Sequence, residues 1–348
     1  NFAWVAGWTS DPTGEPLNAA LEQSGVRAMV RFPNPPKDVT PPMVFQNPFW
    51  ARPFEIFARL LGTPSADEAD PSLLLVFIVP LLFGYMFGDV GQGALLLLAG
   101  LVFAARYPAL QLLIPAGLMS MLFGFLFGSL FTRDDILPAL WFRPMEEPIV
   151  VLIIPLIFGA SLLLLGLVLN GVEAHWRGSG KKWWAQEAGM LVAYIGLVLT
   201  FRYPPAAIAL LAGLIWFVIG AVATARRDPL RALGSDLARL IESTFQLAIN
   251  TLSFTRVGAF ALAHSGLSLA VVSLAQASGS TVTEVALMVV GNAVIILLEG
   301  LVVSIQITRL VLFEFFIRFL RGEGRTFRPV NPPPVKHGTQ KPRTRSAP

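Results

Sequence analysis

Cysteine is absent from this chain of 348 residues, and charged residues are scarce. The absence of cysteine excludes disulfides and thiolate-bound metals, and it leaves the redox compartment open. Asp, Glu, Lys and Arg make up only 14% of the residues, whereas soluble domains have about 25%. In their place, 54% of the residues are hydrophobic, and the mean hydropathy is +0.64. This composition predicts a membrane protein.

The chain also lacks an excess of acidic residues. Lys and Arg number 26 against 22 Asp and Glu, and the sequence pI is about 9.7. A basic balance can indicate nucleic-acid binding, but here the basic residues are concentrated in short loops and a C-terminal tail. That distribution is typical of membrane orientation. We therefore expect contact with a lipid bilayer and none with nucleic acid.

Several apolar runs are candidates for membrane-spanning helices, which need about 20 residues. There are eight, at residues 72–88, 89–105, 109–131, 148–172, 184–201, 205–223, 235–276 and 283–320. The first two are separated only by GDVGQG and form either a tight hairpin or one broken helix. The last two exceed the length of an upright span, so we expect strong tilting, extension into the cytoplasm, or both.

The segments around these runs are more polar. Residues 1–48 read as strand, helix and strand, which predicts the end of a soluble cytoplasmic α/β domain. Residues 49–70 are an interfacial linker or a simple connecting helix, 71–321 the transmembrane domain, and 322–348 a basic cytoplasmic tail. The predicted fold is an all-α polytopic membrane protein of about eight transmembrane helices, with a small α/β remnant at the N-terminus.

Lys and Arg also predict the orientation. With eight spans, the loops 175–183 and 224–234 lie on the side of both termini, and both loops are basic. The opposite loop 132–147 holds more acidic than basic residues. Because basic loops stay in the cytoplasm, we expect both termini to be cytoplasmic. An odd number of spans would place basic loops and loops poor in basic residues on the same side of the membrane.

The last two apolar runs contain ionisable residues that are unusual at membrane depth. Arg256 lies within the first of them, and Glu299, Arg309 and Glu314 lie within the second. A guanidinium stays protonated, and a charge at the bilayer centre costs at least ~2.5 kcal/mol. Such a residue needs a partner, a water-filled cavity or a moving counter-charge. The pattern therefore indicates an ion path.

The predicted topology orders the polar residues by depth. Glu242 lies near the cytoplasm, Arg256 in mid-membrane, and His264 with Glu299 in the outer half. Gln306 lies three residues from Arg309 and shares a face with it. A carboxylate on a neighbouring helix would lose its proton beside Arg256, since an adjacent arginine favours the charged form.

Simpler interpretations remain open at this point. Arg256 either pairs transiently with a carboxylate that moves past it or forms a static salt bridge, for instance to Glu299. Glu314 and Arg318, four residues apart, are predicted to form a helix-surface pair. Asp89 is predicted to serve a turn, and the run GFLFGSLF to serve close helix packing. Other classes also fit, namely a secondary transporter whose Arg256 binds an anionic substrate, or a structural membrane scaffold.

Two stretches of the sequence resemble a known family. NTLSFTRVGAFALAHSGLS (250–268) and LLEGLVVSIQITRLVLFEFFIRFLRGEGRTFRP (297–329) resemble the last two membrane helices of subunit a or I of V-type and A-type rotary ATPases. MFGDVGQG, GFLFGSLF and residues 1–45 resemble earlier blocks of that family. Gln306 stands where eukaryotic relatives commonly have His, which fits a prokaryotic member.

The resemblance implies specific roles for these residues. Arg256 matches the essential stator arginine, Arg309 a second arginine, and Glu242, His264 and Glu299 the half-channel positions. It also implies a multi-pass membrane subunit, in a prokaryotic plasma membrane, that passes protons against a rotating proteolipid c/L ring. Further expected partners are the peripheral-stalk and central-stalk-associated subunits. The resemblance implies no cofactor and no nucleotide chemistry in this subunit.

Overall fold

The described part of this chain is helical. The structure is a computed structural model that describes residues 4–9, 13–25, 28–33, 41–44, 47–62, 64–65, 68–224, 229–319, 322 and 324–327. In these ranges the α-helices are α1 Glu15–Gln23, α2 Glu55–Leu61, α3 Ser72–Met86, α4 Val90–Phe103, α5 Leu113–Phe127, α6 Pro148–Trp176, α7 Gly180–Ala185, α8 Glu187–Thr200, α9 Ala207–Thr224, α10 Pro229–Ser253, α11 Thr255–Gln276 and α12 Thr281–Leu310. Short 3₁₀ turns lead into α2, α5 and α9.

Among the residues that the structure describes, five helical stretches are long and apolar enough to cross a membrane. They are Pro108–Phe127, Pro148–Trp176, Pro204–Ala223, Asp236–Gln276 and Thr281–Arg318. Helices α3, α4 and α8 are apolar but shorter. At about 1.5 Å per residue they extend only ~21–23 Å, whereas the hydrocarbon core is about 30 Å thick. The prediction of a helical membrane protein is confirmed, and a helix occupies the position of every predicted apolar run.

Glycines bring α5 into close contact with α3 and α4. A side chain at Gly84 would collide with the backbone of Met119, and one at Gly124 would collide with Asp89 and Val90. Gly100, at the far end of α4, faces Ile114 near the start of α5. The contacts of Gly100 and Gly124 make α4 antiparallel to α5. They also confirm that GFLFGSLF serves close packing.

The first of the two long apolar runs is interrupted near its middle. Helix α10 ends at Ser253, α11 begins at Thr255, and the amides of Phe254 and Val257 bond carbonyls three residues back, at 3.1 and 3.0 Å. The Thr251 hydroxyl bonds the Leu247 carbonyl at 2.7 Å, a contact that often bends helices. The Phe254 ring is fully buried against Gly159 of α6.

The second long run is interrupted as well. After α12, a π turn spans Val311–Phe315 and a 3₁₀ turn spans Phe316–Arg318. π turns add a residue to the helical register and often occur at functional sites. Both long runs therefore depart from regular α-helix. Both departures lie beside a cavity that is lined by Arg256 and Arg309.

The N-terminal segment agrees with the sequence interpretation only in part. Helix α1 forms within the predicted helical stretch. The predicted strands are NFAWVAGW (1–8) and VRAMVRF (26–32), and their described residues, 4–8 and 28–32, form no strand. An isolated bridge does pair Met43 with Thr326: the Met43 amide donates to the Arg325 carbonyl at 2.8 Å, and the Met43 carbonyl accepts from the Phe327 amide at 2.9 Å. The chain segments that precede and follow the apolar helices thus lie together. Most of the predicted basic tail lies outside the described residues.

Candidate functional site

A cavity of about 640 Å³ lies where the two interrupted helical runs meet. It is formed by the end of α10, the start of α11, the end of α12 and the π turn. Its lining residues are Ile249, Asn250, Leu252, Ser253, Arg256, Arg309, Phe313 and Glu314. Two arginines and one carboxylate give this cavity a net positive charge, and the rest of its wall is partly apolar and partly polar.

Arg256 is half-buried rather than fully buried. Its Nη1 atom is enclosed and has no hydrogen-bond partner, and Arg256 forms no ion pair with any residue the structure describes. The alternative interpretation, a static salt bridge from Arg256 to Glu299, is therefore wrong, because Glu299 is paired with His264 instead. Arg309 reaches the same cavity from α12 and is exposed. The cavity thus presents guanidinium charge that a mobile or external anion is able to meet.

Glu314 lies in this cavity through the π turn. It is 5% exposed, and its Oε1 accepts a bond of 2.6 Å from the Ser253 hydroxyl. The predicted surface pair between Glu314 and Arg318 is wrong. In a regular α-helix, residues four apart lie on the same face. The π turn and the 3₁₀ turn that follows it change the number of residues per turn here, so Glu314 and Arg318 do not share a face. Arg318 consequently lines a different cavity.

A second polar site lies further along α11 and α12. His264 is 4% exposed, and its Nδ1 is 2.6 Å from Glu299 Oε2. His264 Nε2 is also buried and has no hydrogen-bond partner, while the ring lies 4.8 Å from that of Phe87. An imidazole bonded to a carboxylate can hold a proton and pass it on. His264 is eight residues from Arg256, about 12 Å along a helix.

The other two predicted site residues are placed differently. Gln306 lies on α12 between Glu299 and Arg309; it is half-buried, and its Nε2 is enclosed without a partner. Glu242 is exposed on α10, where it accepts a bond of 3.1 Å from Gln246. Glu242 is not among the residues that line the Arg256 cavity.

A buried carboxylate near α12 has a larger part than the sequence indicated. Asp89 is 0% exposed and caps α4 by accepting from the Gln92 amide at 2.9 Å. It also accepts from Ser129 Oγ at 2.9 Å and from the amides of Phe131 and Thr132 at 3.0 and 2.8 Å. The predicted turn role is confirmed, but Asp89 also organises the loop that follows α5.

This network reaches α12 through side-chain amides. Gln92 Nε2 donates to Asn292 Oδ1 at 2.9 Å, and Asn292 in turn approaches the Thr132 hydroxyl at 3.5 Å. Gln92 Oε1 is buried and has no partner. In the sequence, Gln92 and Asn292 are distinguished only by being polar residues within apolar runs. Their hydrogen bond joins residues 200 positions apart, and no local sequence pattern predicts it.

Comparison with known proteins finds similarity to one family of rotary ATPase subunits. The model of the V-type ATPase 116kDa subunit family matches residues 2–131. The chain is 27% identical to the A-type ATP synthase subunit I of Thermococcus kodakarensis, over 93% of this chain and 53% of that protein. It is 28% identical to the subunit I of Aeropyrum pernix, over 81% and 50%. The match to Pyrococcus horikoshii subunit I is 26% identical, over 83% and 47%. The chain spans about half the length of these curated relatives.

Proposed function

We propose that this chain, which is similar to the V-type ATPase 116kDa subunit family, is a proton-translocating stator subunit of a V/A-type rotary ATPase. The observation that carries the proposal is the cavity that Arg256 and Arg309 line from two neighbouring helices. Arg256 has no ion pair among the described residues, so its charge is available to a carboxylate that arrives from another subunit.

The proposed mechanism uses a ring of proteolipid subunits, the c/L ring, with one carboxyl group each. A neutral carboxyl group can face lipid, whereas an ionised one must meet a cation or water. Beside Arg256 the carboxylate is stabilised and its proton leaves. The fixed guanidinium also repels a proton that would cross directly, and this separates two aqueous half-channels.

The half-channels are assigned to the remaining polar residues. The His264–Glu299 pair with Gln306 serves the outer half-channel, and Glu242 serves the cytoplasmic one. Arg309 adds a second positive charge at the boundary. Glu314, with its bond to Ser253, provides an acceptor on the cytoplasmic wall of the cavity. Nucleotide chemistry belongs to other subunits of the complex, which contact this one through the peripheral stalk and the central-stalk-associated subunits.

The apolar face of α12 supports a rotor partner. Only 11% of the apolar window in Thr281–Arg318 is buried, compared with 39% in Pro148–Trp176. A long, uncovered apolar face beside two arginines is the surface that a ring of hydrophobic helices requires. We propose that α11 and α12 lie steeply tilted along that ring, since both runs exceed an upright span.

The contact between Met43 and Thr326 supports the proposed topology. The chain enters and leaves the apolar helices at neighbouring points, and this supports an even number of crossings. Eight spans satisfy this condition, and the positive-inside rule then places both termini in the cytoplasm. The extended segments on either side of α1 would complete the sheet of a cytoplasmic α/β domain ending near residue 48. Residues 49–70 then form the interfacial linker, 71–321 the transmembrane domain and 322–348 the basic tail.

Replacement of Arg256 tests this function. Arg256→Ala should assemble into the complex at the wild-type level and abolish ATP-driven acidification of reconstituted vesicles. Arg256→Lys should also fail, because an ammonium lacks the planar fork and can lose its proton when buried. Arg202→Ala, at an exposed arginine beside the α8–α9 turn, is the matched control and should pump normally. Assembled Arg256→Ala complexes that still acidify vesicles would rule out the stator role.

The same preparation separates the alternative functions. A secondary transporter would lose uptake of an anionic substrate in Arg256→Ala and would need no ATP. A structural scaffold would lose assembly, because its arginine would be a static partner. Measuring subunit content and proton pumping on the same samples therefore distinguishes the three.

A further inference from the structure

A second cavity, of about 440 Å³, lies between α6, α7, α8, α10 and the 3₁₀ turn Phe316–Arg318. Its volume is within the ~300–1,000 Å³ of small-molecule sites. The charged residues that line it are Arg177, Lys182, Arg239, Arg318 and Glu187. Four cationic side chains thus surround one cavity with a single carboxylate among its lining residues.

The ion pairs in this cavity leave two cations without a counter-charge. Arg239 binds Glu187 at 2.8 Å, and Arg177 lies 3.7 Å from the buried Glu173. Lys182 and Arg318 form no ion pair with any other residue that the structure describes. The Nε atom of Arg318 is buried and has no hydrogen-bond partner. The Nη2 atom of Arg318 is 2.7 Å from the side-chain oxygen of Asn250, so this neutral amide is the acceptor and no carboxylate neutralises the charge. Because a buried N–H donor without an acceptor is costly, this cavity is complementary to an anion.

Helix α7 places the cavity at the level of the lipid headgroups. Its sequence GKKWWA joins two apolar helices, and Trp and Lys are enriched at membrane–water boundaries. The Trp183 indole lines the cavity and donates to Asn170 at 3.1 Å, while Trp184 is 64% exposed. Ile317 also lines the cavity and is 63% exposed. The opening is therefore bordered by both basic and apolar groups.

We propose that this cavity binds the phosphate headgroup of an anionic phospholipid. Arg318 and Lys182 contact the phosphate, Trp183 lies at the headgroup boundary, and the acyl chains run along Ile317. Basic pockets between membrane helices recognise such headgroups, and guanidinium groups suit phosphate because they donate two parallel hydrogen bonds. A free phosphate ion could make the same hydrogen bonds, but it has no acyl chains to contact the apolar border. The site is separate from the Arg256 cavity, and the proposal does not depend on the proton path.

Native mass spectrometry of the purified full chain tests the proposal. The protein is titrated with dioleoylphosphatidylglycerol, with dioleoylphosphatidylcholine and with inorganic phosphate. The variants are Lys182→Gln, Arg318→Gln and the double replacement. Lys181→Gln is the matched control, because Lys181 lies on the same helix but does not line the cavity. Each lost charge should weaken phosphatidylglycerol binding about fivefold, as expected for one basic residue near an anionic lipid surface.

The outcomes separate a lipid site from its alternatives. The lipid site requires tight phosphatidylglycerol binding, weak phosphatidylcholine binding, and loss in the cavity variants with less than a twofold change in Lys181→Gln. Equal binding of both lipids would overturn it, as would equal loss in the control. Displacement of the lipid by millimolar inorganic phosphate would show a soluble-anion site instead. If Arg318→Gln fails to fold, the exposed Lys182 still decides the result.

Discussion

Asp89→Asn is predicted to destabilise the protein although it changes only one atom of a buried side chain. The wild-type carboxylate is 0% exposed and accepts from four donors on two segments of the chain. Two of those donors are the amides of Phe131 and Thr132, whose φ angles are 49° and 66°. Such angles are uncommon for non-glycine residues and need support from their surroundings. The carboxylate of Asp89 provides that support.

The expected loss follows from the geometry of the replacement. The Asn carbonyl oxygen can keep the amides of Gln92 and Phe131, and the Ser129 hydroxyl can rotate to accept from the new NH₂ group. The amide of Thr132 then faces a donor instead of an acceptor. One buried donor without a partner costs about 1–3 kcal/mol. We expect Asp89→Ala to lose more, because all of the bonds to the carboxylate disappear.

Thermal unfolding in detergent, followed by tryptophan fluorescence, measures this loss. About 1 kcal/mol corresponds to a melting temperature lower by roughly 2–4 °C. Asp135→Asn is the control on the same loop, since that side chain is 71% exposed and binds Arg133 only loosely, at 3.7 Å. Surface changes of this kind stay within about 0.5 kcal/mol. If Asp89→Asn melts within that margin of the wild type, the reasoning is refuted.

Two further predictions concern α11 and α12. Glu299→Gln should slow proton passage in reconstituted vesicles without loss of assembly, because the pair with His264 loses its ionisable carboxyl group. Glu284→Gln, near the start of α12, is the control. Pumping by Glu299→Gln at the wild-type rate would exclude Glu299 as a relay. Gly258→Ala should destabilise by about 1–3 kcal/mol in thermal unfolding, because its Cβ would meet the α6 backbone, 2.9 Å from Leu152 Cα. Gly266→Ala meets open space and should instead be neutral or stabilising by roughly 0.5–1 kcal/mol; equal effects of the two changes would contradict this packing argument.

Membrane class and helix positions could be predicted from the sequence because both depend on local composition. A run of apolar residues favours a helix in lipid regardless of what it packs against. The ionisable residues within these runs are recognisable for the same reason, since Arg256, Glu299 and Arg309 stand out among apolar neighbours. Their roles in transport remain predictions.

The irregularities of the long helices had no comparable signal. The apolar sequence around Phe254 and Glu314 is typical of continuous α-helix, but the chain departs from regular α-helix at both places. At Phe254 the cause is a buried ring packed against Gly159 of a helix almost a hundred residues earlier. At Glu314 a π turn directs the carboxyl group to Ser253. The expected bond to Arg318 failed because it relied on an unbroken helix.

Local composition is therefore enough to predict a helical membrane protein, the positions of its apolar helices and the charged residues within them. Each of these follows from the cost of placing a given side chain in hydrocarbon, which is a local property. Tertiary structure alone decided which polar groups meet: His264 with Glu299, Ser253 with Glu314, and Asp89 with the loop after α5. Buried polar groups must find partners, but the partner can be any segment that packing brings within about 3 Å.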